Sequence, residues 1–574
     1  MRIRQGSRRA AMGLAMVVAA ATVVAGGASA ATRSGERTAV GRTGRADAPA
    51  GVRDQGSAAA TGVVRLAAEE ELFCADWIAS CGGLSWGNWA LGIQTLPQAF
   101  RVTPDGAYVP GPVLAGEPTV EAGPPVKVTY RINPAAVWSD GEPITSADFR
   151  YLWKQVTTGK DIWDTTGYSA ITDIDTTDPK TAIVTFSEPF AAWKDLFGGF
   201  YFLLPSHLLE GKSRHRAMKD GYAFSGGPWM LEGGANGWDK GKSLTLVPNP
   251  RYWGTQPRIA KVVFQFVPDS AAETKALVTG QVLAAYPQPQ TGMLDEFDDA
   301  GLSYQVSFGN QYEGFWLNSE QFPLGSRAVR QSLLYATDRQ AIVDQIVKPA
   351  VREGRVLQSF IVPTFGQYYA PAFNRYARNL ARVDDLMKAD GWAKDSDGIW
   401  AKDGRRATLQ VATTSGNESR ELTQQLWQSQ LQQAGFDLQI KNASADLLFG
   451  KMIPRGRFSI GLYAQVGTPD PGLCVVFCSE NIPSKDNGFV GQNYTRLVSP
   501  AIDTPWEAAD RELDVNRRVS SVRQGQAALA DEAVSIPLYQ LPTVFVYDAA
   551  RIGGPLEDNT VEGPFWNLEQ WYLK

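Results

Sequence analysis

Residues 314–347, GFWLNSEQFPLGSRAVRQSLLYATDRQAIVDQIV, decide the fold because their pattern predicts one strand followed by two capped helices. The strand is aromatic and covers residues 315–318. Ser326 and Asp338 are predicted N-caps, since a side-chain oxygen there can accept a hydrogen bond from a free backbone N–H. The first helix carries apolar residues at helical spacing. These residues are Val329, Leu333 and Ala336.

A second motif, WSDGEPITSADF, occupies residues 138–149. Thr145 and Asp148 fit a capping box, in which each side chain bonds to the backbone N–H of the other position. The residues that follow have the spacing of an amphipathic helix. The motif therefore predicts a turn, a cap and a helix start, and it contains no catalytic group.

Both motifs resemble segments of the extracellular solute-binding proteins of family 5, the oligopeptide- and dipeptide-binding type of ABC importers. Residues 204–208 resemble the family's Leu-Pro-x-His segment, and residues 249–253 its Asn-x-x-Tyr-Trp segment. The matches follow the family order from Trp138 to Asp338, with weaker ones as far as Trp571. Within the first stretch the matching positions are Asn318, Pro323, Leu324, Val329, Arg330, Gln331, Asp338 and Arg339.

The resemblance implies an α/β fold with mixed sheets, two lobes and a hinge, the class II, three-domain type of periplasmic-binding-protein-like fold. The first lobe would have a core domain and a smaller second domain, and the remaining chain would form the second lobe. The implied limits are 72–100, 206–310 and 536–574 for the core domain, 101–205 for the smaller domain, and 311–535 for the second lobe.

The resemblance also implies a function. The protein would bind a peptide or peptide-like solute between the lobes, close on it by hinge bending, and deliver it to an ABC permease and its ATPase. We expect a monomer. The alternatives are an oligosaccharide receptor of the same fold, a secreted hydrolase on a similar scaffold, and a sensor that presents its ligand to a membrane kinase.

Length and charge limit the number of domains and the kinds of partner that the protein can have. The chain has 574 residues, too many for a single core, so several domains are expected. Removing four arginines with a leader takes the formal charge from −5 to −9, and the basic surplus of residues 31–66 leaves the folded body near −12. Because phosphate binding needs a basic face, a nucleic-acid partner is not expected.

The N-terminus has the pattern of a signal peptide, predicted to cover residues 1–30. An arginine-rich start precedes an apolar run at residues 12–25 and the cleavage-type triplet Ala28-Ser29-Ala30. No cysteine follows the apolar run, so no lipid anchor is expected there, which departs from many family members. Residues 31–71 are predicted to be a disordered tether because large apolar side chains are few. The protein should be secreted or associated with the cell envelope.

The four cysteines form two close pairs, Cys74 with Cys81 and Cys474 with Cys478. Export favours disulfides, and local pairing is the simplest of the three possible connectivities. Metal ligation is the rival interpretation, but these spacings do not suit zinc. We expect two local disulfides and no metal site.

A strand–helix–strand unit is predicted between residues 408 and 440, with Asn417 capping the helix and Gly435 ending it. Such units are right-handed, and ligands gather at the carboxyl ends of their strands. Residues 413–417 therefore either border a binding crevice or form an ordinary turn.

Family peptide binders hold the peptide amino terminus with an aspartate, whose position here falls on Gly467; Ala464 replaces the family tryptophan. Asp470 either substitutes for this aspartate or only shapes the turn. Without an amine-binding aspartate, the sequence predicts an uncharged ligand site with weak salt dependence. We place it at four segments, 86–89, 312–318, 413–417 and 463–470. The candidate ligand-binding residues are Trp86, Asn88, Trp89, Tyr312, Trp316, Asn318, Thr414, Asn417, Tyr463, Gln465 and Asp470.

The sequence contains no nucleophile elbow, zinc-protease helix or phosphate-binding loop. The chain has two histidines, which leaves little room for triads or proton relays. We therefore expect a binding protein without catalytic residues and without a cofactor.

Overall fold

The computed structural model describes residues 60–79, 81–82, 85–159, 162, 165–199, 201–444, 447–487, 489 and 491–574. The predicted signal peptide and most of the predicted tether lie outside these residues. The described chain contains eight helices of seven or more residues, with shorter helical turns between them. They are α1 Ser146–Thr158, α2 Ser270–Val278, α3 Met293–Asp299, α4 Arg327–Ala336, α5 Leu380–Ala389, α6 Glu418–Gln433, α7 Pro500–Arg511 and α8 Val515–Asp531.

The strands form one large mixed sheet and several small ones. The main sheet has eleven strands in the order β18-β17-β19-β13-β20-β12-β1-β11-β10-β8, with β9 paired to β10, and β4-β5-β7-β6 form a separate sheet. The strand bounds are β1 Thr61–Ala68, β2 Phe100–Val102, β3 Tyr108–Pro110, β4 Thr119–Glu121, β5 Val126–Arg131, β6 Ile171–Asp175, β7 Thr181–Phe186, β8 Trp229–Leu231, β9 Trp238–Asp239, β10 Ser243–Pro248, β11 Ile259–Phe266, β12 Ala284–Ala285, β13 Ser303–Leu317, β14 Ala393–Lys394, β15 Trp400–Lys402, β16 Arg405–Arg406, β17 Thr408–Ala412, β18 Asp437–Ile440, β19 Ile460–Val466, β20 Ile536–Tyr547, β21 Ile552–Gly553 and β22 Tyr572–Leu573.

Strand β1 corrects the predicted start of the folded body. We expected a tether through residue 71, but Thr61–Ala68 lie inside the main sheet, parallel to both β11 and β12. Val64 and Leu66 are fully buried there. The prediction was wrong because this short apolar run follows a long tract of small residues, whose composition masks it.

Two hydrophobic cores lie on either side of strand β20. One draws chiefly on residues between 276 and 546, and the other on residues 64–286 and 545–571. β20 pairs with β13 on one side and with β12 on the other, so it joins the two halves of the main sheet. The predicted domain limits stay predictions.

The WSDG motif has the structural role predicted for it. The capping box of Thr145 and Asp148 is present at the start of α1. Asp148 also accepts hydrogen bonds from the Trp138 indole and from the backbone N–H and hydroxyl of Ser206. The carboxyl of Asp148 therefore ties the motif to the segment that carries His207.

The first stretch is likewise built as predicted, with Ser326 and Asp338 capping their helices. Arg339, one of the family-like positions, is buried and donates to several backbone carbonyls, including those of Leu357 and Pro537. Burial lowers its pKa to about 10. This arginine therefore fastens the start of its helix to β20.

The strand–helix–strand unit is also confirmed. β17 and β18 are parallel, Asn417 caps α6 through the backbone N–H of Arg420, and Gly435 follows the helix with a φ of +88°. A positive φ favours glycine at this position, which is why the helix ends there.

Both predicted disulfides are present, Cys74–Cys81 and Cys474–Cys478. Each closes a short loop on its own lobe, and no described cysteine is free. Among the described residues, no helix combines the length and the apolar character that a bilayer span requires.

Candidate ligand site between the lobes

A cavity with a volume of about 130 Å³ lies between the two lobes. Strands β1 and β12 point their carboxyl ends at it, β13 and β20 cross beside it, and the N-terminus of α6 closes it. Ligands of α/β sheets collect beyond the carboxyl ends of parallel strands. The position of the cavity in the fold is therefore that of a ligand site.

The wall contributed by the first lobe is aromatic. Trp86 and Trp89 meet edge to face with ring centroids 5.4 Å apart, and Tyr286 meets Trp89 edge to face at 5.6 Å. Gly563 backs Trp89 with a φ of +91°, and a Cβ at that position would come within 2.3 Å of the indole. The close approach of this glycine holds Trp89 against the cavity.

The same wall is acidic. Glu69 and Glu70 follow β1 directly and line the cavity, and the fully buried Glu273 of α2 lies behind Glu69. Burial raises the pKa of Glu69 to about 7; the amide of Gln288, 3.2 Å from Oε2, opposes this, and the charge of Glu70 adds to it. Burial and the charge of Glu69 raise the pKa of Glu273 well above its usual value.

The wall contributed by the second lobe contains a buried ion pair. Arg420 of α6 donates to both carboxyl oxygens of Glu313 of β13, at 3.0 and 3.2 Å from Nε and 2.5 Å from Nη2. Nη1 of Arg420 is buried and has no hydrogen-bond partner among the described residues. The charges of the two side chains nearly cancel, but Nη1 of Arg420 remains able to donate a hydrogen bond to a ligand.

All four predicted segments reach the cavity, although most of the individual candidates do not line it. Trp86, Trp89 and Asn417 do, and the other two segments contribute Glu313 and Ala464. Glu313 and Ala464 face each other across β13 and β19. The candidates that do not line it are Asn88, Tyr312, Trp316, Asn318, Thr414, Tyr463, Gln465 and Asp470.

Strand alternation explains why neighbours of the lining residues are excluded. Successive side chains of a strand point to opposite faces. Glu313 faces the cavity, so Tyr312 and Trp316 face the core of the second lobe, where Trp316 stacks on Tyr463 at 5.3 Å. Trp316 also donates its indole N–H to the carbonyl of Tyr463. These three aromatics act in packing.

Several polar candidates are occupied by structural hydrogen bonds. The amide of Asn318 donates to the carbonyls of Gly456 and Phe458, and Gln465 bonds to Gln492. Asp470 pairs with the guanidinium of Arg518. Their polar groups already have partners within the protein.

Asn88 and Thr414 are both nearly fully buried. Neither Oδ1 of Asn88 nor the hydroxyl of Thr414 has a hydrogen-bond partner among the described residues.

Sequence reasoning missed Glu69, Glu70 and the Glu313–Arg420 pair. Glu69 and Glu70 fell in the predicted tether, so they were not considered for the site. Glu313 was hidden by its aromatic neighbours, and Arg420 lies 107 positions from it in the chain. A signal was present for Arg420, because it stands in the first turn of a helix whose start was predicted to border a crevice.

The smaller domain also touches the second lobe, away from the cavity. The backbone N–H of Ala191 donates to the carbonyl of Asp510 at 2.8 Å, and Tyr108 bonds to Asp195 close to Arg518. Burial raises the pKa of Asp195 to about 6 and that of Asp510 to about 7. The smaller domain and the second lobe are therefore in direct contact.

This architecture, two lobes joined by crossing strands around a cavity, defines a periplasmic-binding-protein-like fold. The sequence model of bacterial extracellular solute-binding proteins, family 5, middle region, matches residues 110–478. The chain belongs to this family.

Similar proteins agree with this assignment. The oligopeptide-binding protein OppA of Mycobacterium tuberculosis is 27% identical over 462 residues, 78% of this chain and 75% of the relative. The solved structure of the periplasmic EDTA-binding protein EppA has a TM-score of 0.79 and 25% identity, and covers 90% of this chain and 97% of that chain. The structure of AppA of Bacillus subtilis in complex with a nonapeptide has a TM-score of 0.72 and 17% identity, and covers 89% of this chain and 99% of that chain. At this identity it supports the fold alone.

Proposed function

We propose that the protein is the extracytoplasmic receptor of an ABC importer, which binds a peptide or peptide-like solute between its lobes and delivers it to a membrane permease. The observation that carries the proposal is the cavity walled by both lobes, with Trp86 and Glu69 on one side and Glu313 and Asn417 on the other. A ligand that touches both walls stabilises the closed arrangement by its differential affinity for it.

A peptide-like ligand is favoured by the relative OppA, which is named for oligopeptide binding. Pockets for drug-sized ligands enclose about 300–1,000 Å³. The cavity of about 130 Å³ is smaller than that. In the closed arrangement it fits one side-chain-sized group, and a longer solute requires the lobes to separate further.

The test begins with native mass spectrometry of the purified protein to identify a carried-over solute. Calorimetry with that solute, or with a mixed tripeptide library if none is carried over, then measures affinity. Small-angle scattering should show a smaller radius of gyration at saturation. An affinity-confirmed ligand that leaves the radius unchanged would refute closure by hinge bending.

A second candidate ligand is an oligosaccharide, because Trp86 and Trp89 present indole surface to the cavity and sugars stack well on tryptophan. A glycan array run beside the tripeptide library separates the two classes. Binding to glycans alone would replace the peptide proposal.

The proposal also covers the export of the protein and its oligomeric state. A leader of residues 1–30 would be removed on export, and the mature protein would act as a monomer. N-terminal sequencing of the secreted protein and light scattering of the purified protein test these points. A mature chain that retains residues 1–30, or a stable dimer, would contradict them.

A further inference from the structure

The acidic wall of the cavity lacks a cation of its own. Glu69 and Glu70 line it and Glu273 lies directly behind. Among the described lining residues the one cationic side chain is Arg420, which is committed to Glu313 on the opposite wall. The three carboxyl groups of the first lobe are thus without a counter-charge.

Of the carboxyl groups that line the cavity, that of Glu69 most needs a further hydrogen-bond partner. It is only 2% exposed, and its Oε2 accepts from Gln288 at 3.2 Å. Its Oε1 is buried and has no hydrogen-bond partner among the described residues. The Trp86 side chain lies near the carboxyl group and slightly opposes the rise of its pKa. A buried polar atom without a partner is costly, and such atoms at a cavity wall indicate a group that a ligand completes.

Three aromatic residues, Trp86, Trp89 and Tyr286, line the cavity beside these carboxyl groups. The ring of Trp89 meets that of Trp86 at 68° and that of Tyr286 at 86°, with centroids 5.4 and 5.6 Å apart. The face of an aromatic ring attracts a cation electrostatically, most strongly when water is excluded. Aromatic faces combined with a buried carboxylate favour an organic cation over a neutral or anionic group.

We propose, building on the binding role above, that this cavity receives a positively charged ammonium or guanidinium group of the solute, with Glu69 as counter-charge and Trp86 and Trp89 as walls. The ligand class is thereby narrowed to cationic peptide-like solutes. The uncharged site expected from Gly467 is replaced by a cationic subsite on the first lobe. Glu69 supplies the carboxylate here, at the end of β1.

The titration of Glu69 gives the subsite a characteristic pH dependence. The charged or titratable groups facing it are Glu70 beside it, Glu273 from α2, Tyr286 after β12, and the Glu313–Arg420 pair across the cavity. Burial holds the pKa of Glu69 at about 7 without a ligand. A cation binds the ionised form, so its affinity falls as the pH drops below 7, whereas that of a neutral isostere does not fall for this reason.

The experiment compares two capped tripeptides by calorimetry at pH 8, N-acetyl-Ala-Lys-Ala-amide and its norleucine counterpart, which differ only in the ammonium group. The lysine peptide should bind at least about tenfold more tightly. Glu69→Gln combined with Glu70→Gln should abolish that preference. Glu121→Gln, on the exposed strand β4, is the matched control and should retain it.

A preference that is absent in the wild type, or unchanged in the double variant, would overturn the cationic subsite while leaving peptide binding intact. If neither peptide binds, n-butylammonium and n-butanol are compared by ligand-observed NMR. Saturable binding of the amine alone, lost in the double variant, would support the subsite and refute peptide binding; no binding of the amine would overturn the subsite.

The wild type alone provides a second measurement in case the double variant does not fold. The ratio of lysine to norleucine peptide affinity should decline between pH 8 and pH 5.5, by up to tenfold per unit below pH 7. Effects of pH on lobe closure cancel in this ratio. A ratio that stays constant over the range would overturn the proposal.

Discussion

The side-chain amide of Gln540 on β20 donates to the backbone carbonyl of Gly309 on β13 at a distance of 2.5 Å. It also donates to the carbonyl of Phe308 at 2.7 Å. The register between the two strands shifts just here, between Phe308 and Tyr312, so regular ladder bonds are interrupted. The Gln540 amide and the Thr364 hydroxyl thus together serve the backbone carbonyls at this irregular point of β13.

Replacing Gln540 by Ala should destabilise the protein by about 0.5–1.5 kcal/mol, because the carbonyls of Phe308 and Gly309 then keep only the Thr364 hydroxyl as a side-chain donor. Urea denaturation measures the change. Gln524→Ala, an exposed position on α8, should change the free energy of unfolding by less than about 0.5 kcal/mol. Equal effects of the two substitutions would show that the bulge does not depend on the Gln540 amide.

Removing one partner of the buried ion pair Glu313–Arg420 should lower the free energy of unfolding by about 3–5 kcal/mol, since the remaining charge is left uncompensated. Glu313→Gln and Arg420→Met test this separately. The double variant should be closer to the wild type than the sum of the single changes predicts. Additive losses in the thermodynamic cycle would mean that the two side chains do not stabilise each other.

Trp86 and Trp316 should respond differently to truncation. Trp86→Ala removes a cavity wall and should weaken ligand binding at least about tenfold with the fold retained. Trp316→Ala creates a void in the core of the second lobe and should cost about 3–5 kcal/mol of stability. Calorimetry measures the affinity and thermal unfolding the stability of both variants. A loss of affinity in Trp316→Ala together with a loss of stability in Trp86→Ala would place the ligand on the Trp316 face of β13.

The stability of the folded protein should fall as the pH rises through the range in which Asp195 and Asp510 titrate. Burial raises the pKa values of Asp195 and Asp510 to about 6 and about 7, so the folded, closed protein holds protons that the unfolded chain has released. Stability therefore falls from about pH 4 to pH 7 on account of these groups and is level above. Asp195→Asn with Asp510→Asn should flatten this part of the profile of melting temperature against pH. An unaltered profile would contradict the assignment.

The elements that could be predicted from sequence are those that short-range chemistry determines. The caps at Ser326, Asp338 and Asn417, and the box of Thr145 with Asp148, follow from side chains that bond to nearby backbone. Each is fixed within a few residues, so the local pattern is sufficient.

The site depends on contacts that sequence does not display. Which face of β13 meets the cavity is set by its pairing with β19 and β20, so Trp316 was expected at the ligand and Glu313 was not. The burial of Glu69 arises because β1 is inserted between two distant strands. Neither fact can be derived from the spacing of residues along the chain.

Strand β20, Ile536–Tyr547, is the last long strand to leave the ribosome, yet it joins the two halves of the main sheet. A nascent or prematurely terminated chain can assemble the strands of either lobe but cannot couple them. Loss of the final segment by proteolysis would likewise leave two separate β-assemblies connected by flexible chain. The working hinge therefore exists only after the whole polypeptide has been synthesised.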